Sequence, residues 1–170
     1  MLKIIKFLKT IIFILFVSSI AHAENKVVYL DLDYILSNSI IGKNLFLKLK
    51  KEEDIKFKEF ESKEINLKDE ENKILASKNI ISQDQMNLNI KEFRKKLETY
   101  KKFKKNELEI LKKKRNSEVI SLIKQINPVI EKFMSDNSIS IIIDKKNIFI
   151  ADKNYDITDN LIELINKNIK

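Results

Sequence analysis

Residues 74–90, ILASKNIISQDQMNLNI, decide the fold of this chain, because they hold the one place where a very long helical pattern can turn back. The 85 residues between Gly42, the only glycine, and Pro128, the only proline, contain no helix breaker and are rich in lysine, glutamate and spaced apolar residues. As a single rod they would run about 130 Å. That is far longer than one globular helix, and the stretch is too polar to cross a membrane. Within it, Ser82-Gln83-Asp84-Gln85 has the S-x-x-Q form of a capping box that opens a helix. Asn79 is a residue able to take the left-handed conformation at a helix C-terminus. The tip of a helical hairpin is therefore expected at residues 79–82, with Ile80 and Ile81 exposed there or packed across it.

On the outgoing arm Ile41, Leu45 and Leu49 follow i, i+4, i+8 spacing, and Phe57, Phe60, Leu67 and Ile74 continue on a 3-4 heptad seam. Glu64 and Glu71 fall at the intervening seam positions and are expected to weaken it. The return arm repeats the spacing at Met86, Ile90, Phe93, Leu97 and Tyr100. It shifts phase near Lys104 and resumes at Leu108 and Leu111, then at Val119, Leu122, Ile126, Val129 and Phe133. Residues 101–105 are bare of apolar side chains apart from Phe103, so the loosest packing is expected there. Pro128 removes an amide donor and crowds the carbonyl of Lys124, which predicts a kink or short break near the base of the arm.

The ends of the chain read differently. Residues 26–32 (KVVYLDL) have the β-branched and aromatic character of a buried strand, with Asp33 as N-cap of a short helix over 34–37. Residues 138–144 (SISIIID) and 147–151 (NIFIA) read as two more strands joined by Lys145-Lys146. Residues 158–168 read as a helix with Leu161, Ile162, Ile165 and Ile169 on one face. The fold class is α+β: a discontinuous body from 24–40 and 119–170, built on one small sheet, and an antiparallel coiled-coil arm over 41–118. Val27, Tyr29, Ile139, Ile141, Ile143 and Phe149 are the expected body core, within one subunit or between subunits. A body of about 70 residues is near the limit for a self-sufficient core, so oligomerisation is expected to supply missing burial.

Residues 1–23 are set apart by a basic start (Lys3, Lys6, Lys9), an apolar core over 11–17 and the A-x-A ending Ala21-His22-Ala23. This is the pattern of a cleaved signal peptide, which would start the mature chain at Glu24, outside the cytoplasm; the alternative is an uncleaved anchor. The only histidine, His22, leaves with that segment, and the chain has no Cys and no Trp. A histidine base, a Cys or His metal site and a disulfide framework are then excluded, and a single glycine excludes Gly-rich phosphate loops. Paired carboxylates remain compositionally available, but a long hairpin supplies no concave pocket for them. No catalytic residue, cofactor or metal is expected.

The net charge of +8 is segregated. Residues 43–90 carry ten lysines against ten acids, whereas residues 91–115 carry twelve Lys and Arg against four acids. A genome-wide lysine bias fits the total, with 31 lysines to two arginines, but not the segregation. The candidate contacts for anionic groups are Arg94, Lys95 and Lys96, then Lys101, Lys102, Lys104 and Lys105, then the unbroken run Lys112, Lys113, Lys114 and Arg115. A solvated helix face is the competing account of these residues. Phe57, Phe60 and Phe93 are read as seam.

Residues 27–36 (VVYLDLDYIL), the S-x-x-G-K run at 39–43, residues 138–151 (SISIIIDKKNIFIA) and 156–166 (DITDNLIELIN) resemble the Skp (OmpH-like) family of periplasmic chaperones. The resemblance covers the whole mature chain, although the hairpin matches only in length and character. It implies a homotrimer with a central β-body and three projecting arms. It also implies ATP-independent binding of unfolded outer-membrane proteins in the periplasm and contact with lipopolysaccharide or a membrane surface through basic residues. This chain departs from the pattern in having Asn137-Ser138 where family members often have a glycine, and in having almost no arginine. Two other readings stand beside it: a basic coiled coil that binds nucleic acid, without any recognised motif for specific binding, and an envelope scaffold.

Overall fold

In the computed structural model the described residues are 26–169. The signal-peptide reading of 1–23 and the start at Glu24 lie outside them. Lys26–Leu30 forms strand β1, and Asp31 turns the chain into helix α1 (Leu32–Asn38) by accepting a hydrogen bond from the Tyr34 amide at 2.9 Å. The cap is thus Asp31 rather than Asp33, which sits in the first turn where its charge favours the helix N-terminus. Ser39, fully buried, caps helix α2 (Ile40–Ala76) by accepting from the Gly42 amide at 3.3 Å. A Cβ on Gly42 would lie 1.7 Å from the Leu36 carbonyl oxygen, so the lone glycine is what lets α1 and α2 meet at this corner.

Helix α2 ends in a 3-10 turn, Ser77–Asn79, and helix α3 (Gln83–Asp136) returns. At about 1.5 Å per residue the two helices are about 55 Å and 80 Å long, the base of the second belonging to the body. Ser82 caps α3 through the Gln85 amide at 3.3 Å. Gln85 turns its own amide down the helix to Asn89 at 2.9 Å, so only half of the capping box forms. Asn79 does not take the left-handed conformation. The Ser77 carbonyl instead accepts from the Ile80 and Ile81 amides at 2.9 and 3.2 Å, closing the turn in a right-handed geometry. Ile80 stands exposed at the tip.

Helix α3 continues through Pro128 to Asp136, so the proline does not end the helix, as expected, and of the kink or short break foreseen there the break is absent. Pro128 and Lys124 are both exposed, and the carbonyl that loses its helical partner can meet water. Just past the C-cap Asn137, Ser138 has φ 52°, the one positive φ among the described residues. The chain then enters strand β2 (Ile139–Asp144), which runs parallel to β1 with Val27 opposite Ile141 and Tyr29 opposite Ile143. Parallel neighbours need a long crossover, and here the crossover contains the whole hairpin.

The third expected strand, 147–151, does not form. Lys145–Asn147 is a 3-10 turn, the residues after it are irregular, and the sheet has two strands. Among the described residues this segment pairs with no strand, and Phe149 stands wholly exposed. Helix α4 (Thr158–Asn168) closes the fold, with Leu161 and Ile165 fully buried. Its face packs with Val28, Leu30, Ile35, Leu36 and, from the base of α3, Leu122 and Ile126, forming one apolar core.

Candidate functional site

The seam between the arms is built around Phe60, which is 2% exposed. Phe57 from its own helix and Phe103 from the other meet it edge to face, each at 6.0 Å between ring centres. Lys63 lies over the Phe103 ring at 5.1 Å and Lys104 over the Phe60 ring at 5.6 Å. The 101–105 stretch, expected to be loosest, is therefore anchored: its one apolar residue meets the most deeply buried ring of the hairpin. Phe57 is half exposed and Phe93 half buried.

Glu64 does not simply weaken the seam. Its carboxylate accepts from the Tyr100 hydroxyl and the Lys104 ammonium, both at 2.6 Å, which holds its pKa below the usual carboxylate range. Burial and the hydrogen bond to Glu64 push Tyr100 up to about 12. Glu71 pairs within its own helix, with Lys68 at 2.7 Å.

Four of the basic residues singled out from the sequence are tied across the hairpin. Lys96 meets Glu70 and Lys104 meets Glu64, each at 2.6 Å; Lys114 meets Glu52; Arg115 meets Glu53 at 3.5 Å and lies over the Phe46 ring. Two further rungs join Lys56 to Glu107 at 2.9 Å and Lys48 to Glu118 at 3.5 Å. Among the described residues, Arg94, Lys95, Lys101, Lys102, Lys105, Lys112 and Lys113 form no ion pair and are exposed. The acids of the rungs were missed in the sequence. Their signal was available, because the partners in each rung lie at similar distances from the tip.

Two open, mainly apolar grooves flank the seam. One, about 760 Å³, is floored by Leu67, Phe93, Leu97, Tyr100 and Leu108 and edged by Lys101, Lys105 and Lys112. The other, about 640 Å³, lies along Asn66, Lys95, Thr99 and Phe103. The sheet presents a third apolar surface. Tyr29 and Ile139 are buried in the single chain, whereas Val27, Ile141, Ile143 and Phe149 are exposed, beside a hollow of about 1200 Å³ that also includes Ile148, Ile150 and Tyr155. The register puts Val27, Tyr29, Ile141 and Ile143 on one face, so the sheet is apolar on both faces and covered by its own chain on one.

A polar latch ties α4 to the end of β1. The Asp31 amide donates to the Thr158 hydroxyl at 3.0 Å, the hydroxyl donates to Asp156, and Lys145 stands 3.7 Å from the same carboxylate. Burial pushes the Asp156 carboxyl up, but the Thr158 hydroxyl and amide and Lys145 outweigh it and hold its pKa low. Among the described residues no group of acids or histidines could hold a metal ion, and no helix is long and apolar enough to cross a membrane.

The profile of the family described as outer membrane protein (OmpH-like) matches residues 26–165. The fold is similar to the crystal structure of a candidate outer membrane chaperone (OmpH-like) from Caulobacter crescentus CB15, with a TM-score of 0.74, 18% identity and 85% of each chain covered. No curated protein sequence matches. OmpH-like chaperones are not enzymes, which agrees with a hairpin built from apolar seam and ion-pair rungs. On the strength of a match that spans both strands, the whole hairpin and most of the last helix, the chain belongs to the OmpH-like family.

Proposed function

We propose that this protein is an ATP-independent holdase of the periplasm, a homotrimer that captures unfolded outer-membrane proteins between its helical arms and keeps them soluble until delivery. The observation that carries this reading is the return arm, where seven exposed cations without ion pairs stand beside open apolar grooves. Weak apolar contacts, spread along a surface whose positive field attracts acidic chains from a distance, suit many clients and no single pose. The arm over 41–118 is the binding element, and the body from 24–40 and 119–170 joins the subunits.

Trimerisation is supported by the uncovered sheet face. Parallel sheets are ordinarily covered on both faces, and two strands alone are marginal. Val27, Ile141, Ile143 and Phe149 would be covered by other copies, with 147–151 as the segment closest at hand to extend the sheet. Lipopolysaccharide or a membrane surface is a secondary contact for the same cations. Export through residues 1–23 would bring the protein to its clients.

The test is to dilute a denatured outer-membrane barrel into buffer with the purified protein in molar excess. Suppressed light scattering, with a solution mass three times that of the mature chain, is the expected result. Unchanged scattering would overturn the holdase, and a stable monomer would overturn the assembly.

A further inference from the structure

The two grooves beside the seam differ in their electrostatics. In the larger, Lys68 is paired with Glu71 and Lys104 with Glu64, which leaves Lys101, Lys105 and Lys112 against Glu109 alone. In the smaller, Lys63 is paired with Glu59 and Lys96 with Glu70, which leaves one charge of each sign, Lys95 and Glu92. One flank of the hairpin therefore keeps a positive excess and the other does not.

The excess is also aligned. Lys101, Lys105 and Lys112 are spaced by four and seven residues, which at about 100° per residue keeps them within about 20° of a single line down α3. Arg94, seven residues before Lys101, continues that line. Lys101 and Lys105 are about 6 Å apart along the axis, near the two-residue repeat of an extended strand, about 6.7 Å. The apolar floor lies alongside, toward the seam.

We propose that the flank floored by Leu67, Phe93 and Leu108 and edged by Lys101, Lys105 and Lys112 is a seat for extended polypeptide segments in which acidic and apolar residues alternate. The assignment rests on the chaperone reading and adds to it the face of the arm that engages a client and the sequence pattern it selects. An extended chain fits because the groove is long and open: apolar side chains enter the floor while neighbouring carboxylates reach the lysine line, and the outer backbone edge stays in water. A lipid tail would need an enclosed slot, which this flank lacks. The opposite flank offers apolar contact without the charge.

The chain has no cysteine, so single-cysteine labelling has no background. Leu108→Cys reports on the cationic groove, Thr99→Cys on the neutral one and Asn106→Cys on neither. Each carries a photoactivated crosslinker and is mixed with a labelled peptide of alternating glutamate and valine, or with one in which lysine replaces glutamate. The expected yield at position 108 is at least fivefold that at 99 or 106, and at least fivefold higher for the acidic peptide. Equal yields at 108 and 99, or no preference for the acidic peptide, would overturn the proposal. Protection of position 108 by an anionic lysophospholipid, without crosslinking to peptide, would overturn it in favour of a lipid.

A charge-reversal pair separates local contact from the general field. Lys101→Glu/Lys105→Glu/Lys112→Glu is expected to slow peptide association at least fivefold, whereas Lys95→Glu/Lys102→Glu/Lys113→Glu, equal in charge but outside the cationic groove, slows it less than twofold. All six lysines are exposed and without ion pairs, so both variants should keep their helical circular dichroism. Equal slowing would overturn the groove assignment. Barrel aggregation is scored separately with the unaltered protein: failure there removes the chaperone reading, while success there with unselective crosslinking removes only the seat.

Discussion

The Tyr100 hydroxyl on the return arm donates to the Glu64 carboxylate on the outgoing arm at 2.6 Å, within a coiled-coil seam whose neighbouring positions are apolar. Lys104 completes the contact, so an acid that looks like a packing defect becomes a directional link between the arms. A paired polar contact at a seam position favours one register, because sliding one helix by a turn would part the carboxylate from both of its donors.

An alkaline signature follows from that link. Burial first, and the hydrogen bond to Glu64 second, raise the Tyr100 pKa from 10.0 to about 12 in the folded chain. The stability this contributes is intact below the unfolded value and falls as pH rises toward the folded one, since the unfolded chain loses the proton first. Between about pH 9 and pH 11, urea midpoints of the unaltered protein should therefore drop more steeply than those of Tyr100→Phe. The lysine ion pairs titrate in both proteins, so the difference between them is the readout. Parallel pH profiles would refute the link.

Phe60 should dominate the middle of the hairpin. It is 2% exposed and meets two rings, whereas Phe57 is 51% exposed. Phe60→Ala is expected to cost about 3 to 5 kcal/mol of arm stability, and Phe57→Ala about 1 kcal/mol. Amide exchange should accelerate around residues 57–64 and 99–104 while Ile35 and Ile126 in the core keep their protection. Equal effects of the two substitutions would contradict the packing.

Gly42→Ala tests the corner between α1 and α2. The added Cβ would meet the Leu36 carbonyl oxygen at 1.7 Å and its carbon at 2.7 Å, both backbone atoms that cannot swing aside. Gly42 has no positive φ, so the conflict is one of space alone. A destabilisation of about 3 kcal/mol or more is expected, read as a lowered urea midpoint. A variant within about 0.5 kcal/mol of the original would mean that the helices part without cost.

The hairpin was legible because its signals are local: heptad spacing, the absence of breakers and the cap at Ser82 each act within a few residues. The failures came where partners far along the chain decide the outcome. Residues 147–151 have the composition of a strand, but composition cannot say that the segment stays off the edge of the sheet. Asp33 and Asp31 are both plausible caps two residues apart, and the choice falls to Asp31, whose amide is also held by Thr158, distant in sequence. The basic run at 112–115 reads as one patch, yet Lys112 and Lys113 are free while Lys114 and Arg115 are tied to Glu52 and Glu53. Helical rotation separates them.

Ser138 carries the one positive φ among the described residues, 52°, where α3 gives way to β2. A Cβ there is strained, and glycine removes the strain while adding freedom to the unfolded chain. The first effect should exceed the second, so Ser138→Gly is expected to stabilise by about 0.5 to 1 kcal/mol. Asn137→Gly, at a residue with φ −112°, should not stabilise. If both raise the midpoint alike, strain at Ser138 is not the cause.

The acid side of the stability profile should be set in part by Asp156. Burial raises its pKa, but hydrogen bonds from the Thr158 hydroxyl and amide and the charge of Lys145 lower it by more, so the folded value lies below the unfolded one. A depressed carboxyl contributes its stability above the unfolded pKa, about 3.9, and loses it as pH falls through the folded value. Protonation there also loosens the latch that holds α4 against the end of β1, because Thr158 accepts from the Asp31 amide while donating to Asp156. Asp156→Asn should therefore be less stable than the original at neutral pH and should lose less on going from about pH 5 to pH 3. Lys145→Gln, which removes only the 3.7 Å ion pair, should retain most of the acid slope. Urea titrations at fixed protein concentration give the comparison. Identical slopes for all three proteins would assign acid sensitivity to the arms, where Glu59 and Glu64 are also held low by lysines.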